Sequence, residues 1–170
     1  MPVQRLNHAV LYVRDVDRSV AFYREVLGFR AVMEIPGRAA FLQAEGSTND
    51  HDLGLFALGD RAGASEAGRR TVGLYHLAWE VDTLAELARI QDALLEAAAL
   101  VGASDHGTTK ALYAQDPDGL EFEVSWLVPA DLITPEALDA RARIGRLDLP
   151  GEIARYGAGT RGGVGVSIPV

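Results

Sequence analysis

Residues 107–126 read GTTKALYAQDPDGLEFEVSW, and the fold turns on what this stretch forms. Asp116-Pro117-Asp118-Gly119 is a tight turn: proline presets one φ angle and glycine accepts a positive one. The turn joins a strand through Ala111–Gln115 to a second through Leu120–Trp126. In the second strand Phe122, Val124 and Trp126 share one face, and Glu121, Glu123 and Ser125 share the other. A mid-strand carboxylate backed by large apolar side chains faces either water or a polar cavity. Tyr113 alternates with Leu112 and Ala114, so it lines the cavity side or is plain core packing. Asp116 and Asp118 read as turn residues, and Glu121 as a rim residue.

Working outward, the same plan occurs twice. LNHAVLYV, Leu6–Val13, reads as a strand, followed by a helix with Asp17 as its cap. Val20, Phe22, Tyr23, Val26 and Leu27 form its apolar stripe, and Gly28 takes the left-handed C-terminal position. Strands follow through Arg30–Ile35, Ala39–Ala44 and Asp52–Leu58. The Gly- and Ala-rich stretch Gly59–Arg70 reads as a linker. GLYHLAWEV, Gly73–Val81, is then a strand, and Asp82 or Thr83 caps a helix running to about Leu100. Val101–Ser104, a loop carrying His106, and the hairpin complete the second copy. Each copy is a βαβββ unit, and histidine is third in both LNHAVLYV and LYHLAWEV. The expected organisation is α+β: residues 1–58 as one module, 59–70 as linker, 71–128 as the second module, and 129–170 as an extension. In the extension TPEALDARAR reads as a helix capped by Thr134 with Pro135 first. Beyond Pro150 the chain reads as irregular. The extension covers either a subunit interface or a cavity mouth; the sequence leaves both open.

Composition narrows the function. The 170 residues are 48% hydrophobic, enough for a real core, and carry a net charge of −8. That balance, with no basic cluster, disfavours nucleic acid and anionic membranes as partners. Cysteine is absent, which removes disulfides, thiolate ligands and a thiol nucleophile. No apolar run approaches the roughly 20 residues of a membrane span, and no signal segment stands at the start, so a cytoplasmic protein is expected.

One helix per unit covers one sheet face. The bulkier residues Tyr75, Leu77, Trp79, Val81, Phe122, Val124 and Trp126 should take the helix side, which turns His76 and Glu123 to the concave side. His8 holds the matching place in the first unit. A lone strand histidine usually just satisfies a hydrogen bond in core or surface. Equivalent positions in a repeat, with a carboxylate on the same face, point instead to a divalent first-row metal held by His8, His76 and Glu123. His51, His106 and Tyr113 are the remaining polar candidates. His51 opens a strand with ambiguous facing, and His106 sits in a loop where a solvated ring is the bland reading.

HAVLYV, HLAWEV, DVDRSVAFYREVLGF and DPDGLEFEV together resemble the vicinal oxygen chelate superfamily over about Val3–Val128. The resemblance implies tandem βαβββ modules forming a curved mixed sheet around a metal cavity, with His8, His76 and Glu123 as metal ligands. It is nearest to the type I extradiol dioxygenases, which add histidines and a tyrosine matched here by His51, His106 and Tyr113. On that resemblance His51 is the acid/base, and His106 and Tyr113 bind substrate oxygens. The implied cofactor is Fe(II), with Mn(II) the alternative. The implied substrates are a catechol-type aromatic diol and O₂; separately, a homodimer or higher homo-oligomer is expected because such open sheets often pair. Glyoxalase I carries a further glutamate on the last strand of the first unit, where this chain has Gly54 and Leu55. The alternatives are another metalloenzyme of the superfamily (thiol transferase, isomerase or epimerase) and a non-catalytic small-molecule binder.

Overall fold

The structure is a computed structural model and describes residues 2–3, 5–67 and 70–163. In chain order the elements are β1 (Ala9–Val13), α1 (Val16–Leu27), β2 (Arg30–Ile35), β3 (Ala39–Gln43), β4 (Leu53–Ala57), β5 (Leu77–Glu80), α2 (Leu84–Glu96), β6 (Leu100–Asp105), β7 (Thr109–Gln115) and β8 (Glu121–Leu127). A 3-10 turn at Ala130–Leu132, α3 (Pro135–Ala140), β9 (Gly145–Arg146) and α4 (Leu149–Tyr156) follow. The expected α+β class and both strand-helix-three-strand units are present. The chain forms two compact units, Met1–Ser65 with Asp116–Gly119, and Glu66–Gln115 with Leu120–Val170.

In the first unit the strand order is β1-β4-β3-β2, with β1 and β4 parallel and the other pairs antiparallel. Helix α1 buries Val16, Val20, Tyr23 and Val26, and the sheet buries Val13, Leu42, Leu53 and Leu55. The cap is Asp15, not Asp17. Asp15 has extended backbone, and its Oδ1 accepts from the N–H groups of Asp17 and Arg18; Asp17 instead lies in the first turn, where its charge suits the helix dipole. Gly28 closes the helix at φ 73°, as its position predicts. The sheet's other face exposes Val10, Tyr12, Met33, Ile35 and Phe56. The turn Asp116–Gly119 belongs to this unit. Arg14 donates through Nη1 to Asp118 Oδ1 and through its backbone N–H to Asp118 Oδ2, both at 2.8 Å. Tyr23 donates its hydroxyl to buried Asp116 at 3.2 Å. Burial, and then the charge of Asp116, hold the Tyr23 phenol well above its ordinary pKa.

The second unit orders its strands β5-β8-β7-β6-β9, with β5 and β8 parallel. Leu84, Leu87, Ile90 and Leu94 recur at helical spacing and are buried, and α2 packs on β6, β7 and β8, whose core face carries Leu112, Ala114, Phe122, Val124 and Trp126. Both tryptophans of the chain, Trp79 and Trp126, lie in this unit. Helix α2 stops at Glu96, short of the expected Leu100. Ala98 takes φ 52°, its N–H bonds to Leu95 O at 3.1 Å, and the Ala99 N–H bonds to Leu94 O at 2.8 Å. This is a Schellman close with alanine in the place usually held by glycine. The first strands of both units are also shorter than expected. Pairing begins at Ala9↔Leu53 and Leu77↔Phe122, so His8 and His76 each stand one residue ahead of their strand.

The extension is more ordered than its sequence suggests. Thr134 caps α3 with Pro135 first, as expected. The chain around Pro150, however, is helical: Asp148 Oδ1 accepts from the Gly151 N–H at 3.2 Å, and Pro150 sits in the first turn, where no intrahelical N–H is needed. Of the glycine-rich stretch 157–166, residues 157–163 are described, and 164–170 lie outside the described residues. Helix α4 packs on α2. Beneath it Lys110, only 1% exposed, places Nζ 2.6 Å from Asp105 Oδ1 and 3.0 Å from Glu152 Oε2, with the Tyr156 ring 5.9 Å away. Trp126, fully buried, donates its indole N–H to Thr160 O at 3.2 Å. The extension thus completes the core of the second unit. Combining Asp105→Asn with Glu152→Gln should strand a buried ammonium and cost about 3–5 kcal/mol, whereas Lys110→Met, which leaves Asp105 partly open to water though Glu152 Oε2 stays buried, should cost less. Urea denaturation of the variants checks this order.

Candidate functional site

The open face of the second sheet is polar. Register places Ala78, Glu123, Tyr113 and Gly102 in one row across β5, β8, β7 and β6. Strand alternation then turns Glu123 and Tyr113 away from the α2 core, as the parity of the sequence predicts. His76, just ahead of β5, brings Nε2 to 3.4 Å from Glu123 Oε2. That is too long for a good hydrogen bond, yet both atoms carry lone pairs. His76 Nδ1 is buried with no hydrogen-bond partner among the described residues. The Tyr75 ring lies 4.7 Å from the His76 ring, and the Tyr113 ring 6.0 Å from it, between centroids.

His106 reaches the same face through a local turn. Its N–H bonds to Thr109 O at 2.9 Å, Gly107 follows at φ 73°, and the ring swings back so that Nε2 lies 3.0 Å from the Tyr113 hydroxyl. The solvated loop histidine of the bland reading is thus replaced by a paired one. Burial first, then the charge of Glu123, push the Tyr113 phenol above its ordinary pKa, so it keeps its proton at neutral pH. His106, Thr108, Thr109, Tyr113, Glu123 and Arg141 line an open pocket of about 370 Å³, within the range of small-molecule sites. Thr109 was legible from its parity with Tyr113. Arg141 carried no sequence signal, because no strand period reaches the residue that ends a short helix.

The remaining candidates are in the first unit. His8 is exposed, with Nδ1 2.8 Å from Asn7 Oδ1. His51, ahead of β4, pairs through Nδ1 with Asp50 Oδ2 at 3.0 Å. The His8 and His51 rings lie 4.5 Å apart, and the Phe41 ring stands 5.0 Å from His51 on its edge. The six candidates therefore form two clusters: His8 with His51, and His76, His106 and Tyr113 with Glu123. Within either unit, among the described residues, no three His, Asp or Glu side chains gather as a metal-binding set. None of the described helices is long and apolar enough to cross a membrane.

Catechol-2,3-dioxygenase of Bacillus subtilis (strain 168) is 34% identical over 120 residues, which are 70% of this chain and 40% of that protein. Biphenyl-2,3-diol 1,2-dioxygenase 3 of Rhodococcus globerulus is 33% identical over 124 residues, 71% of this chain and 62% of that one. The chain thus spans less than two thirds of the length of either relative. The crystal structure of lactoylglutathione lyase from Agrobacterium tumefaciens superposes with a TM-score of 0.55 at 26% identity, covering 74% of this chain and 95% of that chain. The profile of the Glyoxalase/Bleomycin resistance protein/Dioxygenase superfamily matches residues 5–124, a span that takes in both repeated units from before His8 to just past Glu123. A match across that much of the chain, on this topology, makes the protein a member of the glyoxalase/bleomycin resistance protein/dioxygenase superfamily.

Proposed function

We propose that the protein is a metal-dependent extradiol dioxygenase that opens the ring of a catechol-type diol with O₂. The observation that carries the reading is the His106–Tyr113 pair, 3.0 Å apart, in one pocket with Glu123 and beside His76. Two curated relatives named as dioxygenases support it. The reading takes His8, His76 and Glu123 as metal ligands, with Fe(II) the metal and Mn(II) the alternative. His76 Nε2 and Glu123 Oε2, 3.4 Å apart, would offer one cation an imidazole nitrogen and a carboxylate oxygen side by side. An imidazole and carboxylate set suits either metal. When bound, the metal supplies a Lewis acid and a template for the diol and O₂.

The chain's own groups do the rest. Tyr113, protonated at neutral pH, donates its hydroxyl hydrogen to an oxygen of the diol. In the tautomer with its proton on Nε2, His106 donates to the Tyr113 hydroxyl oxygen and steers the phenol, leaving the phenol's own hydrogen for the diol. The Thr108 and Thr109 hydroxyls line the same pocket and can hydrogen-bond a bound diol. His51, held by Asp50 and lying against His8, is the proposed acid/base from the first unit. The reading includes a cytoplasmic enzyme that assembles as a homodimer or higher homo-oligomer.

Anaerobic purification, Fe(II) loading and oxygen uptake with a catechol panel test the proposal. Uptake with a yellow ring-opened product supports it. No uptake by protein shown to be fully loaded with Fe(II) overturns it in favour of another superfamily chemistry. Within the proposal, Tyr113→Phe should lower kcat roughly 100- to 1000-fold, the usual cost of one lost oxyanion donor, with metal content unchanged. Single-turnover kinetics with metal analysis check this.

A further inference from the structure

We infer that the pocket is built for a diol whose ring bears a carboxylate, and that Arg141 is the residue that selects it; this rests on the ring-cleavage reading above. Arg141 is the pocket's single cation: the other lining residues are His106, Thr108, Thr109, Tyr113 and Glu123. Among the described residues its guanidinium makes no ion pair with any carboxylate, whereas Lys110, the single lysine of the sequence, is buried and spent on Asp105 and Glu152. An exposed, unpaired arginine on a ligand pocket offers a planar fork of donors matched to a carboxylate. The chain carries a net charge of −8, so an anionic substrate meets repulsion everywhere except where a local cation offsets it.

The position of Arg141 is not casual. It follows α3 directly, and its backbone N–H bonds to Leu138 O at 3.1 Å. On one side α3 sits hard against the loop that carries His106: a Cβ on Gly107 would strike the Ala137 carbonyl oxygen and come within 2.9 Å of Ala140 Cβ. On the other side, β9 pairs Gly145 with Asp105 and Arg146 with Ser104 on the sheet edge. Anchors a few residues before and after Arg141 therefore hold it at the pocket rim. Both anchors grip β6 and the turn after it, which also sets His106. Arg141 also lies outside the span matched by the superfamily profile, residues 5–124. The shared part of the fold supplies the reacting groups, and the extension supplies the selectivity.

The test separates binding from turnover. Calorimetry on the full-length, metal-free protein compares 4-hydroxyphenylacetate, which has one phenol and cannot be ring-opened, with its neutral methyl ester. Wild type should bind the acid about 10- to 100-fold more tightly, the scale of a hydrogen-bonded charge pair. In Arg141→Gln the ratio should fall toward one, and Arg141→Lys should restore part of it. The preference should also shrink between 0.1 M and 1 M salt, as the screening length drops from about 10 Å to 3 Å. A ratio that Arg141→Gln leaves unchanged, or an acid that binds no better than its ester, overturns the inference. Steady-state turnover of 3,4-dihydroxyphenylacetate and 4-methylcatechol by the Fe(II)-loaded enzyme then tests the other reading by itself. If neither diol is opened but the binding ratio depends on Arg141, the carboxylate pocket stands and the dioxygenase assignment falls. If diols are opened while the ratio ignores Arg141, only the carboxylate inference falls.

Discussion

Glu123→Ala is expected to strip the protein of bound Fe(II) and reduce ring cleavage to background. Metal affinity should fall by more than about 100-fold, because loss of even outer partners of metal ligands costs 10- to 100-fold. Global stability should move by no more than about 1 kcal/mol. The side chain projects from β8 into an open pocket and takes no part in the strand ladder. Elemental analysis, equilibrium dialysis and a thermal melt on one preparation give all three quantities. A variant that keeps its iron would show that the carboxylate is not a ligand. Loss of Glu123 also removes two of the causes that raise the Tyr113 phenol, its charge and its hydrogen bond, so the ionisation should move down in an ultraviolet pH titration while the burial contribution remains.

The second large effect belongs to a residue with no side chain. Gly107 is buried at φ 73° with α3 pressed on its Cα. Alanine there meets two penalties: about 1–2 kcal/mol for the left-handed backbone, and about 1–3 kcal/mol for forcing the Ala137 carbonyl and Ala140 aside. A loss of about 2–5 kcal/mol should lower Tm by roughly 4–20 °C, at 2–4 °C per kcal/mol for a chain of this size. The same push shifts α3 and with it Arg141, and it disturbs the turn that aims His106 at Tyr113. Gly107→Ala should therefore lose both stability and catalytic efficiency, whereas Gly119→Ala, also at positive φ but with open space around its Cα, should lose stability alone and by about 1–2 kcal/mol. Differential scanning calorimetry with kcat/KM for both variants decides the point.

What could be read in advance was what alternation and turn chemistry fix locally. Asp116–Gly119 announces the hairpin, and from it the period of two assigns Tyr113 and Glu123 to one face and Phe122, Val124 and Trp126 to the other. The repeat of histidine ahead of each first strand located His8 and His76, although both strands start later than their apolar runs suggest. Pairing, not composition, sets where a ladder begins. The misses have particular causes. Asp15 and Asp17 are equally good cap residues, and only the extended backbone at Asp15 selects it. Helix α2 ends on Ala98 in a conformation usually signalled by glycine. Pro150 looks like a helix breaker but occupies the first turn of α4, which Asp148 caps. His106 and Arg141 were the least legible of the site's groups. One depends on a left-handed turn at Gly107 and the other on β9 closing against β6, and both are set by contacts far from any local period.

The placement of the two indoles, Trp79 and Trp126, has a practical consequence. Intrinsic emission on excitation at the red edge sees Glu66–Gln115 and Leu120–Val170 and is blind to the rest. A melt followed by that signal alone would describe only part of the molecule, and could be mistaken for the whole. Far-ultraviolet dichroism weighs both halves, so a midpoint that agrees between the two probes would establish that the repeats unfold as one cooperative body, and a gap between them would measure how loosely the repeats are tied.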